Sequence, residues 1–148
     1  MKRVVTFGEV LLRLSPPGFE RFFQSPLLSA TFGGGEANVA VSLARFGLDS
    51  RWVSRVPANA VGEAALKALR AEGVNVDGVL RGGARLGVYF AETGASQRGG
   101  DVIYDRAGSS VSETKPGTFD WPRLLAGADA FHVTGITPAL GPGVSAAT

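Results

Sequence analysis

Three consecutive glycines, Gly33-Gly34-Gly35, open directly onto a segment with helical periodicity, and this junction restricts the fold more than any other part of the chain. In "FGGGEANVAVSLARFG" (Phe32–Gly47), Ala37, Ala40, Val41 and Ala44 fall at i, i+3, i+4 and i+7. That is one face of a helix over Glu36–Phe46, with Gly47 placed to end it. Glycine starts a helix poorly unless the backbone must pass where a side chain cannot go. The spacing is not a dinucleotide fingerprint: Gly33 and Gly35 fit G-x-G-x-x-G, but Asn38 stands at the third glycine and the expected downstream acidic residue is missing. No G-x-x-x-x-G-K-[ST] phosphate loop is present. What remains is bare main chain leading into a helix, whose N–H groups can face a polar ligand. The Asn38 amide can donate and accept at the same place, which suits a polyhydroxylated molecule. A strand-to-helix turn merely relieved by glycine is the plainer alternative.

The surrounding segments supply an α/β context. "RVVTFG" (3–8) reads as a buried strand and "SRWVSRV" (50–56) as another, while "NAVGEAALKALRAEG" (59–73) repeats the helix pattern with Asn59 as N-cap and Gly73 as stop. Strand–helix–strand–helix order implies right-handed crossovers and a parallel sheet covered on both faces. The rhythm then breaks. "LGVYFAETG" (86–94) and "DVIYDRAG" (101–108) alternate with period two and are joined by "GASQRGG", which predicts a hairpin; "VLLRLS" (10–15) alternates as well and can pair with it. "FDWPRLLAGA" (119–128) predicts a short helix capped by Asp120, and "DAFHVTG" (129–135) a core strand. "PGVSAAT" begins a segment with no cap and no closing strand.

Composition removes several function classes. The 148 residues amount to about one domain, and 45% hydrophobic with 19% charged residues is enough for a packed core. There is no cysteine, so disulfides and thiolate metal sites are excluded, and a reducing, cytoplasmic compartment is the expectation. A net charge of +2 without a basic run points to neither nucleic acid nor membrane. No uncharged apolar stretch reaches the ~18 residues of a membrane span, and Glu9 and Arg13 interrupt the apolar N-terminal stretch.

Several motifs in order carry a family resemblance. "GGGEANVAVSLARFG" resembles the first signature of the PfkB (ribokinase-like) carbohydrate kinases. "FGEVLLRLSPPG", the pair "VYFAETG" and "VIYDRAGSS", and "FHVTGITPAL" are similar to the 2-keto-3-deoxygluconate kinase subgroup, and the resemblance runs from Val4 to Leu140. It implies a ribokinase-like three-layer α/β/α sandwich with a small β-lid, here formed by strands about 10–15, 86–94 and 101–108. It also implies that residues 1–148 are the N-terminal portion of such a domain, truncated after the first half. The implied parent reaction is ATP-dependent phosphorylation of 2-keto-3-deoxygluconate to its 6-phosphate. A kinase for a neutral sugar such as fructose, and a non-catalytic α/β binding or assembly domain, are the alternatives.

The resemblance places substrate contacts at Gly34, Gly35 and Asn38 in the glycine loop, at Tyr89 in a lid strand, and at Tyr104 and Arg106 of "YDR". A sugar acid carries a carboxylate, and a guanidinium fork matches a planar anion. Tyr104 and Arg106 are two apart on a strand and share a face. The plain alternative for Arg106 is a solvated charge paired with Asp105 or Asp101, and for the tyrosines ordinary strand aromatics. Glu9 matches an acidic position near sugar hydroxyls too weakly to join this set. His132 is expected to be a satisfied core residue. The family's catalytic Asp, in a GAGD element at a helix N-terminus, is expected beyond Thr148, together with the sites for ATP and Mg²⁺. "AGADAF" (126–131) mimics the element, but it leads into a strand, which makes Asp129 structural. Lids of two subunits clasp in this family, so the implied partners are a sugar or sugar acid and a second copy of the chain.

Overall fold

The computed structural model describes residues 1–148. In chain order its elements are β1 (Arg3–Phe7), β2 (Leu11–Ser15), β3 (Ser29–Gly33), α1 (Gly35–Arg45), β4 (Asp49–Val53), β5 (Arg55–Val56), α2 (Ala60–Ala71), β6 (Leu80–Arg81), β7 (Gly87–Glu92), β8 (Asp101–Asp105), α3 (Trp121–Leu124), β9 (Ala130–His132) and α4 (Pro142–Ala147). A 3-10 turn over Pro138–Leu140 precedes α4.

The central sheet is parallel, in the order β4-β1-β9. Its two faces are covered by different apolar clusters. On one side Trp52 packs with Ala37 and Ala40 of α1, Ala65, Leu66 and Leu69 of α2, and Val74 and Val76. On the other, Val5, Phe7 and Val53 meet Val111, Phe119 and Val144, with Trp121 packed against them. Phe7 touches Phe119 and Trp121 edge-on at ring-centroid distances of 5.1 and 5.2 Å. A sheet of this kind, apolar on both faces, must be covered on both, and the helices do so.

The helices form where the periodicity predicts them. The small-residue face of α1 lies on β1 and β4, and Ser50 Oγ donates to Ala40 O at 2.7 Å. Gly47 ends α1 at φ +80°, its N–H donating to Ala44 O at 2.9 Å while Leu48 N–H reaches Leu43 O at 3.1 Å. Asn59 caps α2, accepting from Gly62 N at 3.0 Å, and Asp120 caps α3, accepting from Arg123 N at 3.2 Å. The uncapped tail segment forms α4, whose first turn receives no side-chain hydrogen bond.

A second sheet, β3-β2-β7-β8, stands over the carboxyl end of β1. β7 and β8 form the antiparallel hairpin, and β2 joins β7 in parallel, pairing Leu11 with Gly87 through Leu14 with Phe90. Two features differ from the sequence reading. The single strand over 50–56 is split, because after Val53 the chain leaves β1 and pairs with β6, Leu80 N donating to Ser54 O at 2.9 Å. β3, which delivers the glycines, has no alternating pattern; three of its five residues are exposed and pairing with β2 holds it extended.

Candidate functional site

β1 and β9 are parallel neighbours; the chain runs from β1 to β4 on one side and returns past β1 to β9 on the other, so the strand order reverses at β1. In open α/β sheets the crevice at such a point, outside the carboxyl ends of the strands, is where ligands bind. Here it is a cleft of about 190 Å³ between the first turn of α1 and the lid sheet. Gly34, Gly35, Asn38, Tyr89, Tyr104 and Arg106 all line it. The structure therefore brings together residues up to 72 positions apart. It adds Glu9, Leu11, Gly33, Glu36, Ile136 and Thr137, which the sequence reading did not select.

The three glycines clear three different things. A side chain on Gly34 would run into the main-chain oxygen of Glu9 and stand 3.2 Å from Val10 Cα. One on Gly33 would stand 2.9 Å from Tyr89 Oη. One on Gly35 would meet only Thr134 Cγ2, at an ordinary 3.7 Å. Two glycines thus yield to the protein's own atoms, whereas Gly35 faces the cleft with nothing of the protein crowding it. Asn38 lies one turn on, its main-chain N–H donating to Gly34 O at 2.8 Å and its Oδ1 accepting weakly from Gly34 N at 3.4 Å.

On the lid side Tyr89 and Tyr104, paired across β7 and β8, stack at 5.7 Å with 25° between their planes. Arg106 follows β8, and its Cζ lies 5.6 Å from the centre of the Tyr104 ring. The partner of Arg106 differs from both acids considered in the sequence. Its Nη2 donates to Glu9 Oε2 at 2.5 Å, and Ser109 Oγ donates to Glu9 Oε1. Asp105 turns instead to Arg85, whose guanidinium holds its carboxyl below the usual range. Glu9 is only 4% exposed, and Gly87 leaves room for the pair, since a side chain there would meet Arg106 Cβ at 3.0 Å and Glu9 Oε1 at 3.1 Å. Arg106 Nε is buried without a partner.

A second carboxylate, Glu36 in the first turn of α1, is 2% exposed. Its Oε1 accepts from Thr134 N at 2.9 Å, Thr134 Oγ1 at 2.7 Å and Thr137 Oγ1 at 2.6 Å. For Glu9 the sequence carries only the weak match to an acidic position, and for Glu36 no signal at all; the folded neighbours set both apart from surface acids. His132, expected to be satisfied, has a buried Nε2 with no partner, and Thr6, its register neighbour on β1, has an unpaired Oγ1 too. Asp129 lies at the opposite end of the sheet, accepting from Arg3 N at 2.7 Å.

These 148 residues bring together no three His, Cys, Asp or Glu side chains able to hold a metal ion. No helix is long and apolar enough to cross a membrane. A family model described as pfkB family carbohydrate kinase matches residues 1–147. The chain belongs to this family. This pfkB chain is 39% identical over 137 residues to a 2-dehydro-3-deoxygalactonokinase of Haloferax volcanii, covering 93% of the chain and 43% of the relative. It is 33% identical over 138 residues to a 2-dehydro-3-deoxygluconokinase of Bacillus subtilis, covering 92% and 42%. The crystal structure of a 2-dehydro-3-deoxygluconokinase from Thermotoga maritima superposes with a TM-score of 0.93 at 53% identity, covering 95% of the chain and 43% of that structure. The chain thus spans less than half the length of the relatives it matches. Its parallel sheet between helices, with a β-lid, is the ribokinase-like fold.

Proposed function

We propose that this pfkB chain supplies the sugar-binding half of an ATP-dependent kinase for a 2-keto-3-deoxy sugar acid, 2-keto-3-deoxygluconate or its galactonate epimer. The observation that carries the reading is a single guanidinium, Arg106, in a cleft that it shares with bare glycine backbone, the Asn38 amide, two phenols and the buried carboxylates of Glu9 and Glu36. Backbone N–H groups, Asn38 and the tyrosine hydroxyls suit sugar hydroxyls, and Arg106 suits the carboxylate. The chain's own residues would bind and orient the sugar and shield it from water under the lid. Nucleotide and Mg²⁺, which would supply the phosphoryl group and neutralise its charge, are assigned to no residue here, and the proton-accepting Asp is assigned to a segment C-terminal to Thr148.

One observation favours the alternative of a neutral sugar such as fructose: Glu9 already neutralises Arg106. The two readings separate in full-length protein carrying this segment. Arg106→Lys keeps the charge and loses the fork. A charged hydrogen bond contributes about 1.5–3 kcal/mol, or roughly tenfold to a hundredfold in KM for the sugar acid. KM for fructose should change much less. Equal losses on both sugars would remove the physical support for the acid.

The lid is also proposed as the surface of a homodimer. Val102, Ile103 and Tyr104 of β8 are all exposed, and a short sheet with an apolar face needs cover. Light scattering at tens of micromolar, roughly the range of weak association, should report a dimer; a stable monomer would refute it.

A further inference from the structure

Glu36 is a carboxylate buried where an apolar side chain would pin α1 to the sheet at lower cost, since removing a charge from water is expensive unless donors replace the water. Donors do replace it, and they all come from one place. Thr134 N, Thr134 Oγ1 and Thr137 Oγ1 lie 98 to 101 residues further along the chain, in the segment that follows β9. The N-terminus of α1 adds a favourable field for the negative charge. Gly8, at the end of β1, completes the arrangement, because a side chain there would occupy the place of the Glu36 carboxylate. One side chain thus ties α1 to the segment after β9 and packs against the end of β1 at the back of the cleft.

The bonds extend beyond Glu36. Thr134 Oγ1 donates to Glu36 Oε1 and in turn accepts from Ile136 N at 3.2 Å. Ile136 lines the cleft opposite the glycine loop and is 56% exposed, and the adjoining Thr137 lines it too, 1% exposed. Gly35 precedes Glu36 directly, so the carboxylate links the open glycine on one wall to Ile136 and Thr137 on the other. Nothing else among the side-chain hydrogen bonds joins α1 to residues 134–137.

We infer that Glu36 is a positioning residue of the sugar site: through Thr134 it fixes the separation between the glycine loop and the Ile136–Thr137 wall, and so sets the width of sugar that the cleft accepts. This inference rests on the sugar-binding reading above and goes beyond it by assigning a specificity role to a residue that need not touch the sugar. The role differs from that of Arg106. Arg106 would select one end of the substrate by charge, whereas Glu36 would select by cleft dimension and would act on acid and neutral sugars alike.

The experiment uses the full-length kinase that contains this segment. Thr134→Val removes the relay hydroxyl in a side chain of nearly the same shape, Thr134→Ser keeps it, and Glu36→Gln keeps the shape while removing the charge. KM and kcat are measured for 2-keto-3-deoxygluconate, fructose and ATP, with the melting temperature of each variant. Thr134→Val and Glu36→Gln should raise KM for whichever sugar the wild type uses by about tenfold, the loss of one charge-assisted hydrogen bond. KM for ATP should stay within twofold, and Thr134→Ser should restore the wild-type sugar KM. A merely structural role predicts lower melting temperatures with sugar KM unmoved in both variants, and that outcome overturns the inference. If Glu36→Gln does not fold, Thr134→Val against Thr134→Ser decides alone. A wild type that phosphorylates no sugar would overturn the kinase reading and this inference together, whereas an active wild type with unmoved KM in the variants overturns only the inference.

Discussion

The floor of the cleft and its lid are built to opposite standards. The floor is made of β1, β9 and the first turn of α1, and its buried charge is bound within the chain: Glu36 takes three donors, and Phe7 and Trp52 are fully buried, while Thr6 Oγ1 and His132 Nε2 stay unpaired between β1 and β9. The lid presents β8 with all five residues exposed, Tyr104 at 58%, and beside it Arg106, whose charge is met by Glu9 alone. A surface already satisfied by its own chain cannot gain much from a ligand, but it can hold a shape. A surface left exposed is poor for stability and free to bind. Under the proposed function, the difference gives geometry to the floor and recognition to the lid.

Truncating one aromatic on each side gives the largest test of this division. Phe7→Ala opens a cavity among Phe119, Trp121 and Val5 and should cost about 3–5 kcal/mol in denaturant unfolding. Tyr104→Ala removes a stacked, exposed ring and should cost about 1 kcal/mol or less. Similar losses at both positions would show that the lid is as much a part of the core as the floor.

Adjacent glycines refine it. Gly34→Ala drives a methyl into the Glu9 main chain, an overpacking that should lower stability by about 1–3 kcal/mol. Gly35→Ala finds ordinary contact distances at the start of a helix, so unfolding should move by no more than about 0.5–1 kcal/mol, in either direction. Its effect should fall on sugar affinity instead. A stability loss at Gly35 equal to that at Gly34 would mean that both glycines only relieve the turn.

Acid titration gives the smallest effect. Arg51, and next Arg3, hold the Asp49 carboxyl below its ordinary 3.8, and Arg85 does the same for Asp105 in the lid. For carboxyls whose folded-state pKa is depressed, the stabilisation is present above the unfolded value near 4 and is lost as pH falls through the folded value. Melting temperature should therefore be insensitive to these groups from pH 7 to 5 and should fall below about pH 4. Arg51→Gln should blunt that fall more than Arg85→Gln, because Asp105 is the more exposed partner.

The same division explains what could be read from the sequence. Periodicity fixes α1, α2 and the β7–β8 hairpin, because each buries one face, and Asn59 and Asp120 announce their helices by the chemistry of capping. The lid residues Tyr89, Tyr104 and Arg106 stand out because aromatic and cationic side chains at alternating positions need an explanation. The floor does not announce itself. Glu9 and Glu36 look like any surface acids, and their partners Ser109, Thr134 and Thr137 lie about a hundred residues away. The pairing of β1 with β9 brings Thr134 and Thr137 to Glu36, and the lid sheet brings Ser109 to Glu9. β3 is missed for a related reason: Ser29, Ala30 and Thr31 carry no apolar face, and β2 holds them by backbone pairing alone.

The aromatic residues also leave the molecule with separate optical reporters. The chain has two tyrosines, and both stand in the cleft, stacked on each other. It has two tryptophans, one packed on each side of the central sheet. Tyrosine absorbance and nitration therefore sample the cleft alone, while tryptophan emission samples the two packed layers. A sugar that enters should disturb the first signal and leave the second still, whereas loosening of the fold, which also parts the stacked tyrosines, should move both. Occupancy and unfolding can thus be followed in one unlabelled sample.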